Sequence, residues 1–139
     1  MMFKSTRLVI LFIAASPASV VAQQQADQID PVTSSPDMYR VLLENAHVRV
    51  VRYQLEPGET DEWHAHPAKV SYVVSGGTLR ITTEDGDSFV VDEHTDSASW
   101  LGAIGKHYAE NIGKHTVHIV LIEVKSVDEV WKGNREEQQ

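Results

Sequence analysis

Two histidines one residue apart, His64 and His66, are the residues of this chain whose type and spacing most directly suggest chemistry. In an extended strand, residues i and i+2 project from the same face. Two imidazoles on one face can share a divalent cation at about 2.0–2.1 Å per bond. A third donor from a later strand would close one face of the coordination sphere. Five further histidines, His47, His94, His107, His115 and His118, could supply it. The chain has no cysteine, so metal donors are limited to imidazole, carboxylate and other oxygen atoms, and soft thiolate sites are excluded. A disulfide framework is excluded for the same reason.

The elements that would position these histidines are short. Val48, Val50 and Tyr53-Gln54-Leu55 form one apolar-alternating run, ended by Glu56-Pro57-Gly58. Val70 to Val74 is closed by Ser75-Gly76-Gly77, and Leu79 to Thr83 reaches the turn Glu84-Asp85-Gly86-Asp87. Phe89-Val90-Val91, Ala98 to Leu101, His107 to Ile112 and Val117 to Val124 follow, with Gly113-Lys114 as the last tight turn. Many short runs rich in β-branched and aromatic residues, with no useful amphipathic helical stretch, indicate an all-β sandwich or barrel over residues 38–126.

Both ends read differently. Lys4 and Arg7 precede the apolar run Leu8 to Ala15, and small residues lead to Val20-Val21-Ala22. This is the layout of a secretory signal peptide over residues 1–22. The apolar run is too short to span a bilayer, which takes about 20 apolar residues. Cleavage after Ala22 leaves 117 of the 139 residues, enough for one core. It removes Lys4 and Arg7 from the 12 basic residues and none of the 20 acids, for a formal charge of −10. Such a body repels phosphate backbones and anionic headgroups, so neither nucleic acid nor, after cleavage, a membrane is an expected partner. Residues 23–37 read as a flexible leader and residues 127–139 as a tail. The expected location is periplasmic or secreted.

Gly58, five residues, His64-Ala65-His66 and then Gly77 resemble the first signature of the cupin superfamily, G-x5-H-x-H-x3–4-E-x6-G. His107-Tyr108-Ala109-Glu110-Asn111 is similar to the end of its second signature, H-x3-N. The resemblance spans about Tyr39 to Lys125 and is stronger in its first motif. It implies a double-stranded β-helix, or jelly roll, with His64, His66 and His107 as ligands to one divalent ion, Fe(II), Mn, Ni or Zn. Counted back from Gly77, the position of the family's metal-binding Glu is Val70. The P-x-G that usually precedes the second-signature His is replaced by Gly102 and Ile104. Three-His sites without a carboxylate resemble those of cupin-type thiol and diketone-cleaving dioxygenases. The run His66 to Ser75 also resembles small stand-alone cupins, including one associated with β-alanine degradation.

Around this site, Tyr72 lies two residues beyond Val70 and is expected to share an inward phase, where a phenol could orient substrate or move a proton. His118 could line the barrel from the last long strand. Glu62 could replace the missing carboxylate if its strand already runs there, and Asn111 is expected to satisfy backbone groups before Gly113. Trp63 points away from the ligands and, with Trp100 or Trp131, could cover the outside of the barrel, where an apolar face suggests a homodimer. The function expected is a metal-dependent, oxygenase-like enzyme on a small organic acid or carbonyl compound, with an anionic small-molecule ligand. The alternatives are a non-catalytic periplasmic binding or sensing module and a metal-dependent lyase or isomerase.

Overall fold

A computed structural model describes residues 29–125 of the chain. The expected signal peptide, its cleavage site and the expected 127–139 tail lie outside the described residues. The last part of the stretch expected to be a flexible leader forms a helical turn, α1 (Pro31–Ser34). Asp30 caps it by accepting from the Val32 N–H at 2.8 Å, and proline occupies the first turn, where a missing N–H is harmless.

Nine strands follow: β1 (Tyr39–Glu44), β2 (Val48–Leu55), β3 (His64–His66), β4 (Lys69–Ser75), β5 (Gly77–Thr83), β6 (Ser88–Glu93), β7 (Ser97–Leu101), β8 (Ile104–Asn111) and β9 (Val117–Val124). They form two antiparallel sheets, one in the order β1-β2-β9-β4-β7 and the other β3-β8-β5-β6. The double-stranded β-helix implied by the histidine signatures is the fold observed. Two elements had no counterpart among the apolar runs. β1 exposes four of its last five residues, and β3 is only three residues long.

Alternation places the core. On β2, Val51, Tyr53 and Leu55 point inward, and on β9 Val117, Ile119 and Leu121 do the same. Together with Tyr39, Val73, Leu79 and Ala109 they form one cluster. Each fully buried Val, Leu or Ile contributes about 1.5–3 kcal/mol relative to exposure. Tyr39 stacks on Tyr53 with ring centroids 4.5 Å apart. Gly86, at φ +86°, makes the β5–β6 hairpin in a conformation that side chains rarely adopt. At Gly76 a Cβ would come within 2.0 Å of the Glu93 carbonyl, so only glycine lets these segments meet.

The inward row of β9 ends on a carboxylate, Glu123, and that of β2 begins with Arg49. At this end of the sheets the apolar core gives way to a polar one. On the outer face of the five-stranded sheet, Leu43, Val50, Ile122, Val70 and Trp100 stand in register across all five strands. Leu43 and Trp100, at its two ends, are at least half exposed.

Candidate metal centre

Pairing of β3 with β8 sets His64 directly opposite His107, and His66 follows two residues along β3. The three rings converge, with centroids 4.4–5.6 Å apart, and each residue is at most 5% exposed. Their ligand-capable nitrogens all lie within 4.8 Å of one another.

Hydrogen bonds decide which nitrogens these are. His64 Nδ1 donates to the Glu62 carbonyl and His107 Nδ1 to the Gly105 carbonyl, both at 2.7 Å. A carbonyl can only accept, so both rings carry their proton on Nδ1. His66 Nδ1 lies 3.2 Å from Glu123 Oε1. Glu123 is held below the usual carboxylate range by its hydrogen bonds to His66 and Arg49, against the effect of burial. Burial pushes all three histidines down, His66 to about 3, so they are neutral bases. The His66–Glu123 contact is therefore a neutral imidazole donating to a carboxylate. All three Nε2 atoms are thereby left unprotonated, with each Nδ1–H anchored, which is the arrangement that fixes metal-ligating histidines.

A phenol stands beside them. Tyr39 donates to Asp61 Oδ2 at 2.9 Å, and its oxygen lies 3.1 Å from His64 Nε2. With the proton on the Asp61 side, two lone pairs face each other there, a contact that a cation relieves. The donor set and this contact fit one divalent ion. Asp61 also accepts from the Ala109 N–H at 2.6 Å, and burial raises its pKa against these bonds. Burial likewise raises Tyr39 and Tyr53. Glu123 is shared with Arg49 Nε at 2.6 Å, and the same guanidinium pairs with Asp30, just before α1.

The triad opens on a cavity of about 390 Å³ between the two sheets. Leu79, Ile81, Phe89, Val91, Leu101 and Ile104 make it largely apolar, while Lys69, Ser71 and Ser99 add polar groups.

Three expectations are corrected by the side-chain phase. On β4, Lys69, Ser71 and Val73 are buried while Tyr72 and Val74 are exposed, so Val70 and Tyr72 face outward. Pairing with β9 slips between Val73 and Ser75, placing an extra β4 residue there. Counting back from Gly77 across this irregularity does not fix the face, and the inward positions flanking the expected Glu are Lys69 and Ser71. Tyr72 lies outside the cavity, 2.7 Å from Asp96 Oδ1, which raises its pKa through that hydrogen bond. His118 alternates with the buried Val117 and Ile119 and faces outward. Glu62 is exposed and offers His64 only its carbonyl.

Asn111 is fully buried, donates to the Leu55 and His115 carbonyls and accepts from the Gly113 N–H, as expected. Trp63 faces away from the ligands and meets Tyr108 edge-on at 4.7 Å. His47, His94 and His115 are exposed. The site residues the sequence reading missed are Tyr39, Asp61, Lys69 and Glu123. Glu123 carried a signal, an acid in the apolar phase of Val117, Ile119 and Leu121.

No protein-family model matches the chain, and no curated protein matches it in sequence. Among solved structures it is similar to a cupin domain from Bordetella pertussis Tohama I, with 24% identity and a TM-score of 0.58, over 63% of this chain and 92% of that one. It is also similar to an RmlC-like cupin family protein from Methanocaldococcus jannaschii, with 17% identity and a TM-score of 0.51, over 62% of this chain and 77% of that one. The fold is thus the cupin double-stranded β-helix, carrying a three-histidine cluster compatible with a single metal ion.

Proposed function

We propose that this chain is an exported, metal-dependent cupin enzyme, oxygenase-like, acting on a small organic acid or carbonyl compound. One observation carries the proposal: three buried imidazoles with every Nδ1 committed and every Nε2 unprotonated, beside a largely apolar cavity. Fe(II), Mn, Ni or Zn bound there would polarise a ligand and keep positions open to it, and Fe(II) would also take dioxygen. Three neutral ligands leave a 2+ charge uncompensated, which favours an anionic, chelating substrate. His64, His66 and His107 would hold the ion, and Glu123 would keep His66 aimed. Tyr39, paired with Asp61, would orient a substrate oxygen or carry a proton in place of Tyr72 and His118. The apolar wall of the cavity would exclude water.

The Tyr39–Asp61 pair also supports the lyase or isomerase reading, which needs a proton carrier and no oxygen. Anaerobic purification from the exported compartment with metal analysis, then a screen of small oxo- and hydroxy-acids with and without air, separates the readings. Substrate-dependent oxygen uptake supports the oxygenase, and turnover without oxygen the lyase or isomerase. Saturable binding without turnover makes the protein a sensing or binding module. Failure to hold any first-row ion after reconstitution overturns the proposal.

A further inference from the structure

Lys69 lines the cavity, and the proposed metal site leaves it without a task. It is 3% exposed, and its Nζ is buried without a hydrogen-bond partner among the described residues. The nearest candidate partner, Glu123, stands directly across the β4–β9 pair, but Arg49 and His66 occupy its two oxygens. Glu93, the acid that lines the cavity, forms no ion pair with Lys69 among the described residues. A buried ammonium without a counter-charge is unfavourable, and folding tolerates it where a ligand supplies the missing partner. Burial lowers the amine only to about 8, with Glu123 opposing, so it is mostly charged at neutral pH.

We infer that Lys69 is the anion anchor of the cavity, pairing with the carboxylate of a ligand whose apolar body lies against Leu79, Ile81, Phe89, Val91 and Leu101. The inference rests on the reading of this cavity as the ligand site, and it names the ligand class: a monocarboxylate with an apolar body. It does not depend on the ion. With an ion bound, the cavity would hold two cationic centres, and an anion placed between them answers both. Ser71 and Ser99 line the same cavity and supply hydroxyls for the remaining carboxylate lone pairs.

Benzoate and its neutral isostere benzamide are the probes, titrated calorimetrically into the full mature chain, zinc-loaded and chelator-treated. Wild type should prefer benzoate by about ten- to a hundredfold, the range for a hydrogen bond to a charged group. Lys69→Met keeps the length and packing of the stem, so it should erase this preference while leaving benzamide affinity and metal content unchanged. It should also melt no lower than wild type without ligand, because it removes an unpaired buried charge. Benzoate should raise the melting temperature of wild type and not of the variant. Lys69→Gln gives the same reading should the methionine variant fold poorly. A preference that survives both neutral variants, or a wild type that does not distinguish the probes, overturns the anchor. Metal content in the same samples separates the two ideas: one ion per chain without Lys69-dependent selectivity leaves only the metal site, and selectivity without an ion leaves only the anchor.

Discussion

His66 differs from the other two ligands in what holds its Nδ1. His64 and His107 each donate to the main-chain carbonyl two residues back, a bond that no side-chain substitution at the acceptor removes. His66 leans on a carboxylate that Arg49 also holds. Glu123→Gln should therefore detune one ligand alone, weakening metal binding by about 10–100-fold, as read by competition with a chromophoric chelator. Alanine at His64, His66 or His107 should cost most of the affinity, and full retention of the ion in His107→Ala would show the third ligand to be misassigned. The same burial that keeps these rings neutral makes the metal-free protein acid-sensitive. Their folded pKa values lie below the unfolded value of about 6.5. Above that pH both states are neutral; below it the unfolded chain takes up protons that the native one refuses. Stability should fall with pH by up to about 1.4 kcal/mol per unit for each histidine, continuing toward about pH 3 for His66. Glu123, depressed, adds to the loss at lower pH, while Asp61, raised, opposes it. Melting temperatures in chelator from about pH 7 to about pH 4 should show this slope, and His66→Gln should flatten it.

At the scale of elements, β4 decides which residues meet the ion. Ser71→Glu should aim a carboxylate into the cavity and tighten metal binding by placing negative charge near a 2+ ion. Val70→Glu, one residue away and on the opposite face, should leave metal affinity within about twofold, an effect below 0.5 kcal/mol as for most surface changes. Parallel titrations of the two variants test the phase directly, and a tighter ion in Val70→Glu would reverse it. This strand also shows where sequence reasoning stops. The spacing of His64 and His66 was legible because metal geometry constrains it at short range, His107 through its likeness to the second signature, and the apolar alternation of β2 and β9 because one face is buried. The phase of β4 was not, since the pairing slip between Val73 and Ser75 is set by β9, more than forty residues away in the chain. Lys69 was hidden with it. Tyr39 and Asp61 were unreadable for a related reason: their roles exist only once β1 and the β2–β3 loop converge on His64.

For the molecule as a whole, the open question is what covers the outer face of the five-stranded sheet. The in-register row Leu43, Val50, Ile122, Val70 and Trp100 is the feature that favours the homodimer expected from the sequence. Val70→Glu should then shift the protein to monomer in sedimentation velocity without loss of bound metal, and an unchanged mass in a dimeric protein would move the interface elsewhere. Export should give a mature chain that begins near Gln23 on N-terminal sequencing, and a cytoplasmic protein retaining Met1 would refute it. The chain of contacts from Asp30 through Arg49 and Glu123 to His66 would link that expected terminus to the candidate metal site. Asp30 lies only seven positions beyond Gln23. If it does begin there, a protease that removed the eight residues Gln23 to Asp30 would strip Arg49 of one carboxylate while leaving every strand intact. Where maturation stops would then be a determinant of metal affinity, and two isoforms with and without Asp30 should separate on a metal-loading assay before they separate on any measure of folding.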